Sequence, residues 1–246
     1  MTTLDSGAAL QHQVPRNRML NVVRLQFVNT QTFIWVPALV LGGSWVLSMM
    51  IFWIIGGAGV TEVKAGGGSQ APLWYFLAIG IQAMTMTFPF SQAMSLTRRE
   101  FFLGSLAAAA VSGLGMSLVF VLLGLFEQAT GGYGINGYFA YLYWVWAAGP
   151  FAAGLTYLTA TLFFFTIGFW FATIFKRFGA LGLTIALLAL GLALVGFIAL
   201  VTFQQAWPAV GQWFTDTGAL GLTLWAIPVT GLLAVGSYLT LRRMPA

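Results

Sequence analysis

Few side chains in this chain are equipped for acid–base, nucleophilic or metal chemistry, and their positions narrow what it does. There is one histidine, His12, in a polar leading segment, and there is no cysteine. Disulfides and thiolate metal sites are thereby excluded. A serine or aspartyl hydrolase needs a base beside its nucleophile, and no His, Lys, Asp or Glu falls well inside any long apolar run. Metal sites fail for the same reason. The two lysines, Lys64 and Lys176, do not close a Gly-x-x-x-x-Gly-Lys-Ser/Thr loop of the kind that cradles a nucleotide. No catalytic residue, no metal and no cofactor is expected.

One dense charge cluster stands between two long apolar runs: Thr97-Arg98-Arg99-Glu100, followed by Phe101 and Phe102. Thr-x-x-Glu is the spacing of a capping box, in which the Thr97 side chain accepts from the backbone of Glu100 and the Glu100 carboxylate reaches back to Thr97. A carboxylate in the first turn also suits the positive end of the helix dipole. The spacing therefore predicts a stiffly capped helix opening at this point. The same residues suit a docking elbow, with the arginines supplying charge and Phe101 and Phe102 an apolar anchor for a cytosolic ATPase. A cap would stiffen such a lever, so the two readings are compatible.

The elements that hold this cluster can be placed from composition. The chain has 246 residues, of which 59% are hydrophobic and 6% charged, with a mean hydropathy of +0.89. Soluble domains carry about 25% charged residues, so this is an integral membrane protein. A crossing helix needs roughly 20 apolar residues. Runs at about 32–55, 72–95, 101–126, 149–175, 179–203 and 218–240 meet that length. Lipid offers the backbone no partner, and the alternation of a barrel strand is absent, so the runs are read as helices.

Charge sets the orientation. Arg16, Arg18, Arg24, Arg98, Arg99, Lys176, Arg177, Arg242 and Arg243 share one side of a six-crossing topology, and Lys64 alone takes the other. The basic side is the cytoplasmic one, which puts both termini in the cytoplasm. The basic balance thus reflects topology, and nucleic acid is not expected as a partner. The expected fold is all-α: residues 1–31 form a cytoplasmic tail and interfacial helix, and 32–246 a six-helix transmembrane domain. Residues 1–13 lack an apolar stretch, so no secretory signal is expected. Residues 14–31 mix arginines with Leu20, Val23 and Phe27 in the manner of a helix lying in the headgroups. The outer segment 56–71 is Gly-rich and reads as flexible. Segment 127–148 carries an aromatic belt, and 204–217 is a candidate re-entrant stretch. The cytoplasmic pieces are far shorter than a nucleotide-binding domain of ~50–250 residues, so any energy must come from another chain.

The stretch Ser95-Leu96-Thr97-Arg98-Arg99-Glu100-Phe101-Phe102-Leu103-Gly104, between the second and third of six helices, resembles the first intracellular loop of type-2 ABC transporter permeases. That family shows a small-x-Ser/Thr-Arg-x-x-Phe pattern there, often with Gly where Ala93 or Ser95 stands in this chain. The topology resembles the family over the whole length, the motif over about ten residues. The resemblance implies a dimer with a second permease copy or paralogue and two cytosolic ABC ATPase subunits. It implies export of an amphipathic or hydrophobic substrate by alternating access. Thr97, Arg98, Arg99, Glu100, Phe101 and Phe102 would then be the ATPase-coupling residues. Gln82, Thr85 and Met86 in the second run are candidates for the translocation path, against simple hydrogen bonding between helices. The alternatives are a non-transporting immunity or sensor subunit and a secondary carrier with backbone-built ion sites.

Overall fold

The computed structural model describes residues 31–94 and 96–243. Ser95 and most of the expected interfacial helix over 14–31 lie outside the described residues.

A π turn, Gln31–Trp35, leads into α1 (Val36–Gly57), whose Pro37 sits in the first turn, where a missing N–H costs nothing. After β1 (Lys64–Ala65) and a tight turn at Gly67–Gln70 comes α2 (Ala71–Gln82). A second π turn, Ala83–Thr87, joins α2 to the short α3 (Phe88–Ala93). The long α4 (Arg98–Ala129) ends at a glycine-rich turn, Gly132–Asn136, followed by β2 (Gly137–Tyr138) and the single turn α5 (Tyr143–Trp146). Helices α6 (Pro150–Phe203) and α7 (Trp207–Arg242) complete the chain.

Among the described residues, five helical stretches are long and apolar enough to cross a membrane: Thr32–Gly57, Gly67–Ala93, Arg98–Ala129, Pro150–Phe203 and Trp207–Arg242. The difference from the six expected runs lies in α6, which takes in both 149–175 and 179–203. It is not one regular helix: Gly179 has φ 71° and ψ −172°, a conformation that glycine adopts without a side-chain clash. Gly218 (φ 61°, ψ 178°) breaks α7 in the same way, so the candidate re-entrant stretch is largely helix leading into the final apolar run.

The core is built around the part of α6 before Gly179. Ala153, Tyr157, Thr161, Phe165, Phe169 and Thr173 are buried there, whereas beyond Gly179 Val201 alone of the α6 residues is buried. Thr161, Thr166 and Thr173 turn their hydroxyls back to the carbonyls of Tyr157, Leu162 and Phe169, which satisfies them without a partner helix. Helix α2 approaches α6 backbone to backbone at Gly80 and Gly168. A Cβ on Gly80 would run into the Phe165 carbonyl, and one on Gly168 into the Leu77 carbonyl. With no hydrophobic force between helices in lipid, such close contact supplies the packing.

The two segments that follow α1 and α4 meet. Lys64 pairs with Gly137 and Ala65 with Tyr138 in a short parallel ladder, so the Gly-rich segment expected to be flexible is tied down in its middle.

A methyl group at Gly168 has to push two backbones apart. Gly168→Ala should cost about 1–3 kcal/mol, read as a lowered Tm in detergent. Gly191→Ala, whose Cβ would meet open space, should leave Tm unchanged.

Candidate functional site

The arginine elbow begins with the expected cap. Thr97 is extended (φ −72°, ψ 151°) and α4 starts at Arg98. The Glu100 N–H donates to Thr97 Oγ1 at 3.2 Å, while Glu100 Oε2 accepts from the Thr97 N–H at 2.9 Å and its hydroxyl at 2.7 Å. Arg98 reaches across to the end of α7, donating to the carbonyls of Arg242 at 3.2 Å and Leu241 at 3.4 Å. Those carbonyls lie in the last turn, where a helix lacks internal donors and its dipole favours a cation. Arg99 is exposed.

Phe101 and Phe102 are both buried. Phe101 sits edge-on to Phe88 at 5.1 Å, and Phe102 lies 5.7 Å from Phe169 and 5.2 Å from Tyr238. The expectation of an apolar anchor for a partner therefore needs correction, because both rings face into this chain's own core. The reason is helical periodicity: the positions after the cap turn toward α6, and the arginines remain outside.

The second candidate group also departs from expectation. Gln82 and Thr85 are half-buried, but Met86 is 71% exposed, so the three do not share one covered face. The cause is the π turn over Ala83–Thr87. One extra residue in the turn rotates the downstream residues by roughly 100°, which breaks the regular spacing on which the grouping rested. Thr85 Oγ1 donates to the Ile81 carbonyl at 2.9 Å, and Lys176 Nζ lies 3.5 Å from the Thr85 carbonyl and 5.7 Å from the centre of the Phe88 ring. Lys176 thus supports the irregular turn.

Sequence reasoning missed the strongest polar network, which lies at the C-terminal end of α4. Glu127 is fully buried. Its Oε2 accepts the backbone N–H groups of Phe139 (3.1 Å), Ala140 (2.9 Å) and Tyr141 (2.7 Å). Its Oε1 accepts the Tyr133 hydroxyl at 3.2 Å, and that hydroxyl accepts the Trp45 indole N–H at 2.9 Å. Burial, with the neighbouring Glu127 carboxylate, pushes the Tyr133 hydroxyl up to about 12, so it remains a donor at physiological pH. The Ala140 carbonyl in turn accepts from Tyr157 at 2.6 Å and Trp146 at 3.0 Å. Lys64, the outlier in the charge pattern, is also buried and donates to the Ile135 carbonyl at 2.9 Å. The aromatic belt expected over 127–148 is therefore divided: Tyr143 and Trp144 are exposed, whereas Phe139 and Trp146 are built into this cap.

Among the described residues no three His, Cys, Asp or Glu side chains converge as metal ligands would. No protein-family model, curated protein or solved structure matches the chain.

Removing the carboxylate leaves three buried N–H groups short of an acceptor. Glu127→Ala should destabilise by several kcal/mol, at about 1–3 kcal/mol for each group left unsatisfied. Limited proteolysis should then cut within 130–149 at protease levels that leave the native protein intact.

Proposed function

We propose that the chain is the membrane-spanning permease subunit of an ATP-driven exporter of the type-2 ABC class. In this reading it moves an amphipathic or hydrophobic substrate across a bacterial cytoplasmic membrane. The Thr97–Glu100 elbow is where a separate cytosolic ATPase pushes. Helix α6 makes two of six crossings, since its 54 residues would extend roughly 80 Å if straight, against a hydrocarbon core of ~30 Å. Gly179 is the turning point, and the basic ends, including Arg242 and Arg243, lie in the cytoplasm.

The observation that carries the reading is the mechanical connection of the elbow. A capped helix start is stiff, Arg98 joins it to the last turn of α7, and Phe102 packs on Phe169 of α6 and Tyr238 of α7. A force applied at Arg99 would therefore reach three helices together. Phe101 and Phe102 act as transmission inside the chain, and Arg98 and Arg99 keep the coupling role. A second copy or a paralogue would cover the exposed Met86 in the turn between α2 and α3, with Gln82 and Thr85 half-buried behind it, and complete the translocation path.

Tagged protein extracted in mild detergent should bring down a soluble ATPase that carries a nucleotide-binding loop. Arg99→Glu should lose that ATPase at unchanged Tm, because the side chain is exposed. Failure of the unaltered protein to retain an ATPase co-expressed from the same operon would overturn the reading.

A further inference from the structure

At the elbow end of the bundle, α4 and α7 touch through Phe102 and Tyr238 but do not close fully. Between them lies an open groove of about 490 Å³, walled by Phe102, Leu106, Ala234, Val235 and Tyr238 and headed by Arg99. Arg99 alone of the arginines lines it, while Arg98, its neighbour on the first turn of α4, is engaged by the Leu241 and Arg242 carbonyls at the end of α7. The nearby carboxylate, Glu100, is held by Thr97 in the cap. The groove is thus apolar along its length with a guanidinium at one end.

We propose that this groove binds one anionic phospholipid of the arginine-side leaflet, its phosphate on Arg99 and an acyl chain between α4 and α7. Three features favour that occupant. A guanidinium fork matches phosphate oxygens in geometry and charge, and basic clefts between spanning helices are suited to acidic headgroups. From Arg99 to Leu106 the wall rises roughly 10 Å, which takes the upper part of an acyl chain while the remainder continues into the bilayer. Arg98 bridges to the Leu241 and Arg242 carbonyls at the top of the cleft, so a chain enters sideways from the membrane. Val235, 56% exposed, forms the open lip. The inference needs only a membrane-spanning chain and does not rest on the ATPase reading.

The test uses the full chain, without any ATPase, in nanodiscs of equal parts phosphatidylglycerol and phosphatidylcholine, with retained lipids counted by native mass spectrometry. Phosphatidylglycerol should be retained in preference to phosphatidylcholine. Arg99→Gln should lower that preference about fivefold, the factor expected for one guanidinium near an anionic surface. Ala234→Leu, which fills the cleft and removes no charge, should lower retention as well. Val235→Phe narrows the same cleft from its exposed lip and serves if Ala234→Leu fails to fold. Equal retention of the two lipids would overturn the proposal. So would loss with Arg99→Gln but not with a folded cleft-filling variant, since that outcome is surface attraction alone. Displacement of the lipid by millimolar glycerol phosphate would make this a free-phosphate site and equally overturn it. Ala234→Leu leaves Arg99 in place, so it weakens ATPase capture through the wedge at most and does not abolish it as Arg99→Glu does, and the two readings fail separately.

Discussion

The end of the bundle away from the arginine elbow depends on one buried carboxylate. An ion out of water is tolerated only when donors replace its hydration, and Glu127 has four: the N–H groups of residues 139, 140 and 141 and the Tyr133 hydroxyl. The requirement works in both directions. The carboxylate needs those donors, and a non-helical segment placed against the bundle needs an acceptor for its own N–H groups. Once residues 139–141 are gathered on Oε2, the Ala140 carbonyl is set to receive Tyr157 from α6 and Trp146 from α5. Tyr133 carries the connection to Trp45 on α1. Four donors leave the carboxylate little capacity for anything else, which makes it a structural group rather than an ion carrier.

The elbow end is held differently. Its fastening is an arginine on carbonyls of a helix's last turn, together with aromatic rings in contact around Phe169. Neither device encloses a charge, and aromatic packing accepts small rotations more readily than a set of short hydrogen bonds does. Between the two ends, Gly80 and Gly168 bring α2 and α6 into backbone contact. The molecule thus has one end pinned by hydrogen bonds to a carboxylate, a tight middle, and an elbow end joined by aromatic packing and the Arg98 bridge.

How much of this was legible in the sequence depended on the range of each interaction. The cap at Thr97 and Glu100 was readable because both partners fall within four residues and use a spacing that only a helix start satisfies. The apolar runs were readable because their length answers directly to membrane thickness. Glu127 was not: it lies at the end of an apolar run, and three of its four partners are backbone N–H groups 12 to 14 residues onward, which no side-chain pattern announces. Lys64 was hidden for a similar reason, since its acceptor is the Ile135 carbonyl 71 positions away. The grouping of Gln82, Thr85 and Met86 assumed a regular helix, and no side-chain pattern announced the π turn that disrupts it. Phe101 and Phe102 were ambiguous in principle, because an apolar pair beside arginines suits a docking anchor and a buried helix start equally well.

The elbow and the groove beside it have opposing mechanical consequences. Arg98 draws the start of α4 toward the end of α7, while the cleft between Phe102, Leu106 and Ala234 leaves the same two helices apart just below. Two helices joined at one end and separated along their length pivot at the joined end, and whatever occupies the cleft sets the angle between them. A lipid chain seated there would wedge α4 from α7, and a push on Arg99 toward the bundle would close them and squeeze the chain out. Proposed ligand and proposed motor would then act on one coordinate with opposite sign. By linkage, each would weaken the other's hold by the same factor.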